Sequence, residues 1–358
     1  MRREVTEAMR SMRSRVRRIS QTVPMTLFLL LGMVLVFAIL VGPAKYLKLS
    51  NIMNVISQCS SGVGIVALAS FMAICSTGVD LSLGGIVSLA GMVTAKLLTS
   101  DMALFASLRE SAPVLLLLLV VLISLIVGAL MGGLNGVILS RTNIPSFIIT
   151  LGNFKICETL SRVIAGGSTI RVSGNAVFEF IGGGSLLSVG QTVQQGARTS
   201  TRMIGVLPVS AMIMIALYLL FSLIIKRSRF GTYVYAIGGN YEAAELSGIN
   251  TTRTRFMVFM LNGMIAAVTG IIMTSRLTAA SAANGLGLEF DGIAAAVVGG
   301  AAMTGGRSTP WRTLIGALII SVLRNGFSMV GMENSLQMIA IGAVLIIVVA
   351  IDAAKNRR

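Results

Sequence analysis

Long runs of apolar residues, separated by short polar segments, make up most of the chain. A membrane-spanning helix needs about 20 apolar residues, and fewer where the span is broken or re-entrant. The pattern therefore predicts an all-α polytopic membrane protein with about ten transmembrane helices. The third and eighth predicted spans are short and rich in Gly, Ala and Ser, so they are the least typical of a simple crossing. The ten spans are 25–42, 51–77, 82–99, 112–139, 144–165, 206–225, 255–276, 290–304, 312–330 and 336–351.

The composition agrees with a membrane protein. Of 358 residues, 55% are hydrophobic and 12% are charged, whereas about a quarter of the residues in a soluble globular protein are charged. The chain contains no His, which excludes His-based metal sites and His general bases. Its three Cys lie inside apolar runs without a C-x-x-C pair, so we interpret them as packing residues. We predict no metal site and no catalytic residue.

The positive charges predict the orientation of the chain in the membrane. The net charge is +16, and seven Arg fall within the first 18 residues. Lys and Arg are typical of cytoplasmic loops, which explains this charge better than nucleic-acid binding does. We therefore predict a cytoplasmic N-terminal segment 1–24, a transmembrane domain 25–351 and a cytoplasmic tail 352–358. Within the domain, 166–205 becomes an external loop and 226–254 a cytoplasmic loop.

A faint internal repeat relates the two halves of the chain. Asn135-Gly136 and Asn325-Gly326 are 190 residues apart, and each pair is followed sixteen residues later by a further glycine. Five spans in each half is an odd number, so the halves would have opposite orientations in the membrane. Inverted repeats of this kind are common in transporters. We predict two inverted five-helix halves, with both termini cytoplasmic.

Acidic residues stand at the start of the two short Gly-rich spans. The segment DLSLGG begins at Asp80, and EFDG begins at Glu289. Ser82 and Asp291 within these segments either cap helix N-termini or also line a solute pathway, and both interpretations remain open. We include all four residues in a predicted substrate path.

Further polar residues lie inside the predicted spans. Lys155, Glu158 and Arg162 have the i+3 and i+4 spacing of residues that pair along one helix face. Charge inside a bilayer is costly and often functional. Glu158 therefore either contributes to the substrate path or belongs to a self-neutralised ladder that packs on another helix. Hydroxyl and amide groups either suit a polar solute or serve helix packing. Three such residues complete the predicted path: Ser88, Asn135 and Asn325.

The chain has no nucleotide-binding motif of its own. A P-loop has the sequence G-x-x-x-x-G-K-[ST]. The nearest match is AAMTGGRS at 301–308, which has Ala in place of the first Gly and Arg in place of the Lys. The sequence thus predicts no site for nucleotide hydrolysis in this chain.

Several long motifs resemble one family of membrane proteins. The stretch RFGTYVYAIGGNYEAAELSGINTTRTR, which starts at Arg229, resembles the cytoplasmic loop of permease subunits in bacterial ABC importers of the ribose, galactose and xylose type. TGVDLSLGGIVSLAG at 77–91, LEFDGIAAAVVGGAAMTGG at 288–306 and IPSFIITLG at 144–152 are similar to further segments of that family. The similarity covers roughly residues 50 to 355.

The resemblance implies that the cytoplasmic loop contains a helix that docks on an ATPase and couples it to the membrane spans. EAAEL favours helix formation, and glycines flank it. Tyr241 and Leu246 are predicted to be the apolar anchors of this contact. The predicted coupling residues are Gly239, Asn240, Tyr241, Glu242, Ala243, Ala244, Leu246, Ser247, Gly248 and Ile249.

The resemblance also implies the assembly and the solute. The expected partners are a cytoplasmic ABC ATPase that holds ATP and Mg²⁺, an extracytoplasmic solute-binding protein and a second copy of this or a similar permease. The chain itself would bind no cofactor, would sit in the bacterial plasma (inner) membrane and would carry a monosaccharide such as ribose or galactose. Many family members have Arg-Gly where Glu158-Thr159 stands, which weakens the solute assignment. The alternative is a stand-alone ion-coupled secondary transporter or channel.

Overall fold

The computed structural model describes residues 25–356, apart from 173, 196, 197 and 307. The predicted basic segment 1–24 lies outside these residues. Helices dominate the described chain, and the four strands are short or lie in one hairpin. The helices are α1 Met25–Val41, α2 Pro43–Tyr46, α3 Leu49–Ser60, α4 Val63–Cys75, α5 Leu83–Leu98, α6 Ala103–Ser111, α7 Pro113–Arg141, α8 Ser146–Ala165, α9 Ala176–Gly183, α10 Val209–Arg227, α11 Arg229–Gly239, α12 Tyr241–Leu246, α13 Thr251–Leu277, α14 Leu288–Val298, α15 Pro310–Val330 and α16 Asn334–Asn356. The strands are β1 Ile170–Arg171, β2 Ser188–Gln195, β3 Arg198–Gly205 and β4 Ala279–Ala280.

A helix occupies each of the ten apolar segments predicted from the sequence. Five helical stretches have the length and composition of a membrane span: α3 with α4, α7, α10, α13 and α15. A sixth is obtained when α5 and α6 are counted together, although they meet at an angle of 77°. The chain is thus an all-α, multi-pass membrane protein. The number of ten crossings and the cytoplasmic location of both ends stay predictions.

Helix α13 lies at the centre and packs against α7 through glycines. A Cβ atom at Gly128 would overlap the carbonyl oxygen of Gly263, and one at Gly132 would overlap the carbonyl oxygen of Phe259. Gly136 lies against the backbone of Phe256 in the same way. These glycines, spaced four residues apart, therefore bring two helix backbones into direct contact.

The contacts of the first half recur in the second half. Helix α5 packs on α7, α8 and α13, and helix α14 packs on α15, α16 and α4. The short helices α5 and α14 thus hold corresponding places among their neighbours. Both are buried along most of their length, since the side chains that surround them come from the longer spans.

The first part of the 166–205 segment, up to Gly183, is folded onto the end of α13. Strand β1 pairs with β4, so that Ile170 faces Ala280. The Ser275 hydroxyl donates to the carbonyl oxygen of Phe178 and accepts a 2.7 Å hydrogen bond from the Gly182 amide. Strands β2 and β3 form an antiparallel hairpin. The segment that the sequence predicted as a loop is therefore largely ordered secondary structure.

Candidate functional site

The predicted helix between two glycines is present as α12. The Asn240 side chain caps its N-terminus by accepting a 2.9 Å hydrogen bond from the Ala243 amide. Gly248 follows the helix with φ of +80°, a left-handed conformation that favours glycine. The Asn250 side chain then caps α13 by accepting a hydrogen bond from the Arg253 amide at 2.8 Å. Two Asn caps and one glycine thus define the turn–helix–turn geometry of this segment.

The two predicted anchors of α12 differ in their surroundings. The Leu246 side chain is 90% exposed, whereas Ala244 is buried against the rest of the chain. The Tyr241 hydroxyl lies 3.1 Å from the Thr251 hydroxyl, and its ring centroid lies 5.8 Å from the Arg255 guanidinium. Tyr241 therefore packs partly back onto α13. Leu246 is the side chain that α12 presents to its surroundings.

The residues just before α12 touch the end of a membrane span. A Cβ atom at Gly238 would overlap the carbonyl oxygen of Cys75, the last residue of α4, and the amide nitrogen of Gly306. The Tyr235 hydroxyl donates to the carbonyl oxygen of Ser308 at 2.6 Å. Burial raises the pKa of Tyr235 to about 12, so the hydroxyl keeps its proton as a donor. The segment is thus fastened both to α4 and to the loop that follows α14.

A buried polar network occupies the connection from α4 to α5. One oxygen of Asp80 accepts hydrogen bonds from the Ser82 hydroxyl at 2.6 Å and from the Ser82 amide at 3.1 Å. Its other oxygen accepts from Asn262 on α13 at 3.2 Å, and Asn135 on α7 donates to the Ser82 hydroxyl at 2.8 Å. All four residues are buried. Three predicted path residues therefore meet, together with Asn262, which the sequence analysis missed.

Hydroxyl groups of α8 hold the same connection in place. The Val79 amide donates to the Ser146 hydroxyl at 2.8 Å, and the Leu81 amide donates to the Thr150 hydroxyl at 3.0 Å. Both hydroxyls belong to the segment IPSFIITLG. Buried backbone amides outside helices need such partners, so these side chains stabilise the non-helical connection between the two spans.

The helix-cap interpretation of Ser82 and Asp291 is wrong. Ser82 precedes α5, but its hydroxyl makes no cap hydrogen bond and donates to Asp80 instead. Asp291 lies inside α14, whose N-cap is Gly287. Its carboxylate pairs with the Arg324 guanidinium of α15 at 2.6 Å. Both side chains link different helices, which the local sequence pattern does not reveal.

The starts of α5 and α14 lie against each other. The Gly285 amide donates to the Ser88 hydroxyl at 2.9 Å. The Glu289 carboxylate is buried against Gly84 and accepts a 3.2 Å hydrogen bond from the Gly287 amide. The two short Gly-rich spans therefore meet through polar groups.

The remaining amide candidate, Asn325, exchanges two hydrogen bonds with Asn51, of 2.9 and 3.1 Å. Like the groups at the starts of α5 and α14, Asn325 is buried. Among the residues that the structure describes, these candidates do not line an open path in this conformation.

The predicted pairing of Lys155, Glu158 and Arg162 along one face of α8 is confirmed. The Glu158 carboxylate pairs with Lys155 at 2.9 Å and with Arg162 at 2.7 Å. The Glu158 side chain is only 9% exposed, whereas those of Lys155 and Arg162 are 68% and 62% exposed. One face of this predicted span therefore carries two exposed cations around a shielded anion.

A multi-pass helical chain with buried polar groups between its spans, and with a short capped helix between two of them, has the architecture of a transport permease. A protein family described as the permease component of the branched-chain amino acid transport system matches residues 51–349. The chain belongs to this family, and it is a transport subunit rather than an enzyme.

Curated relatives match almost the whole chain. The ribose import permease protein RbsC of Haemophilus influenzae is 32% identical over 328 residues, which cover 91% of each chain. The probable ABC transporter permease protein YphD of Escherichia coli (strain K12) is 34% identical over 92% of this chain and 90% of its own. The D-allose transport system permease protein AlsC of the same strain is 31% identical, with 91% and 90% covered. No solved structure matches the chain at a significant level.

Proposed function

We propose that the chain is the membrane-spanning permease subunit of an ATP-driven, binding-protein-dependent importer in the bacterial plasma membrane. Its solute is a small polar molecule, and a monosaccharide such as ribose or galactose fits best. Relatives named for ribose and allose import support this, since they match about nine tenths of the chain. The polar groups between the spans support it as well, because hydroxyl and amide side chains suit an uncharged, hydroxyl-rich solute.

The observation that carries the proposal is the exposed Leu246 at the end of a short helix whose other end is fastened to the membrane domain. Isolated exposed leucines are common. Here, however, the helix is capped and leads through Gly238 to direct backbone contact with Cys75. A surface with this geometry suits docking in a groove of a cytoplasmic ABC ATPase, with Leu246 as the apolar anchor. Nucleotide binding and hydrolysis then belong to that partner.

In the proposed mechanism, the spans have two arrangements, and ATP binding favours one of them. Movement of α12 shifts Gly238 against the end of α4, which leads directly into the Asp80 network. Separation of this network, and of the contact between α5 and α14, would open the polar path that is closed in this conformation. The predicted path residues thus act when their present partners part.

The proposed topology has ten crossings, inverted halves and both ends in the cytoplasm. The basic run 226–229 lies next to α12, on the side where positive charge is expected to be cytoplasmic. The recurrence of the α5 contacts around α14 supports two related halves. The folded 166–205 segment then lies outside, where it faces the solute-binding protein.

A second permease copy, or a similar permease, completes the assembly. Lys155 lies in the middle of α8 with its side chain 68% exposed. A charged group at this depth is costly in contact with lipid tails. We therefore place this face of α8 against the second permease or a water-filled path.

The test is to measure ATPase association and solute uptake for variants of α12 in the assembled transporter. Leu246→Asp should leave the chain in the membrane but weaken ATPase binding by about 2 kcal/mol, the loss typical of an anchor residue. Ala243→Glu should act in the same direction, because Ala243 is exposed and its substitution leaves the helix cap in place. Leu246→Met is the matched control and should bind normally.

Normal ATPase binding and uptake in both charged variants would contradict the docking assignment. Uptake driven by an ion gradient without ATP or a partner would contradict the importer as a whole and favour a stand-alone secondary transporter.

A further inference from the structure

A polar cavity of about 250 Å³ lies away from α12, and one predicted path residue, Asp291, belongs to its lining. It is bounded by the break between α3 and α4, the end of α13, the start of α14 and the outer part of α15. The end of α13 also leads into β4 and contacts α9 of the 166–205 segment, so the proposed topology places the cavity on the extracytoplasmic side. Its polar lining consists mainly of Gln58, Arg276, Asn284, Asp291, Ser321 and Arg324.

The two arginines of the cavity have more donors than the described residues use. The Arg276 guanidinium donates to the Ser61 hydroxyl at 2.9 Å, and Arg324 donates to the Asp291 carboxylate at 2.6 Å. Each guanidinium has five N–H donors. The cavity therefore presents several unused planar donors next to a carboxylate acceptor.

This combination suits a ligand that has several hydroxyl groups. A hydroxyl oxygen accepts from a guanidinium, while the hydroxyl proton is donated to a carboxylate or an amide oxygen. Gln58 and Asn284 add amide groups, which both donate and accept hydrogen bonds, and Ser321 adds a hydroxyl. The volume lies just below the range of sites for drug-sized molecules, so it suits one sugar ring and excludes two.

We propose that this cavity is a transit site for a single monosaccharide on the outer side of the permease. The inference rests on the proposed function, because it assigns a place in this chain to the solute of the importer. Arg276 and Arg324 orient the ring oxygens, and Asp291 accepts a hydroxyl proton. The site is distinct from the closed Asp80 network.

The experiment measures protection of an introduced thiol in the complete transporter, reconstituted in proteoliposomes. Gln58→Cys places a thiol in the cavity wall, and the native Cys59, Cys75 and Cys157 are all buried. A membrane-impermeant maleimide should label this variant from the outside. D-Ribose should slow labelling by the factor 1 + [L]/Kd, which is about threefold at twice the Kd. D-Allose and D-xylose are tested in the same way.

Two controls separate binding from other effects. Sucrose at equal osmolarity is too large for the cavity and should not slow labelling. Ser328→Cys lies exposed on the same helix as Arg324, but outside the cavity, and its labelling should not respond to any sugar. In the Gln58→Cys background, Ser321→Leu fills the cavity and should abolish protection.

The outcomes also separate this site from the proposed function. If ATP-dependent uptake is normal but none of the three monosaccharides protects Gln58→Cys, the transit site is wrong and the importer stands. Equal protection by sucrose, or no labelling from the outside, also overturns the site. If the transporter shows no ATP-dependent uptake of any sugar, the proposed function fails. If Ser321→Leu does not assemble, protection of Gln58→Cys alone decides.

Discussion

The backbone of Gly238 is in direct contact with the carbonyl oxygen of Cys75. This contact joins the segment before α12 to the end of α4, five residues before Asp80. No side chain separates the two backbones, so a displacement of one must move the other. The contact connects the segment before the proposed ATPase-binding helix to the span that leads to the polar network.

Gly238→Ala is expected to disrupt this connection. The new Cβ atom would overlap the Cys75 carbonyl oxygen and the Gly306 amide, and both are backbone atoms that cannot rotate away. Overpacking of this kind costs about 1–3 kcal/mol. We expect lower thermal stability and strongly reduced ATP-dependent uptake in proteoliposomes. Gly152→Ala on α8 is the control, because a Cβ atom there meets nothing within 4 Å. Equal uptake in the two variants would show that the contact does not transmit movement.

Ser82→Ala tests the buried polar network. The substitution removes the hydroxyl that donates to Asp80 and accepts from Asn135, and it leaves the Asn135 amide without a partner among the described residues. An unsatisfied buried group costs about 1–3 kcal/mol. We therefore expect a lower unfolding temperature in detergent. Ser111→Ala is the control, since Ser111 is exposed and its hydroxyl bonds only within its own helix. No difference between the two variants would mean that the network does not stabilise this conformation.

The sequence predicts local features of this protein well because they depend on spacing along one helix. The pairing of Lys155, Glu158 and Arg162 follows from the helical repeat, and the α12 helix follows from its helix-forming residues between the Asn240 cap and Gly248. Long-range partners are not predictable in this way. Asn262 lies 182 residues from Asp80 along the chain, so no local pattern joins them. The pairing of Asp291 with Arg324 escaped detection for the same reason, and a local capping role took its place.

Gly263→Leu is expected to separate the two central helices. A Cβ atom at Gly263 would already overlap the Gly128 carbonyl oxygen on α7, and a longer side chain adds to the clash. Close backbone contact through small residues contributes to helix association in membranes. We expect a loss of folded protein in the membrane. The measurements are the expression level and the fraction of protein that elutes as a single monodisperse peak in detergent. Gly152→Leu is the control, because the Cβ position at Gly152 on α8 is open. Normal folding of the Gly263→Leu variant would show that α7 and α13 tolerate a wider separation.

A substitution of Lys155 tests what the exposed face of α8 contacts: a polar path, the second permease or lipid. Lys155→Met keeps the length of the side chain and removes its charge, while Glu158 keeps its 2.7 Å pair with Arg162. If this face contacts the second permease or the solute path, uptake should fall by about tenfold. This factor corresponds to the loss of one charged hydrogen bond of about 1.5 kcal/mol. Leu151→Met on the same helix is the control, since its apolar side chain is also exposed. A rise in thermal stability without a change in uptake would instead place the face in lipid, because the substitution would then remove an unfavourable charge from the hydrocarbon region.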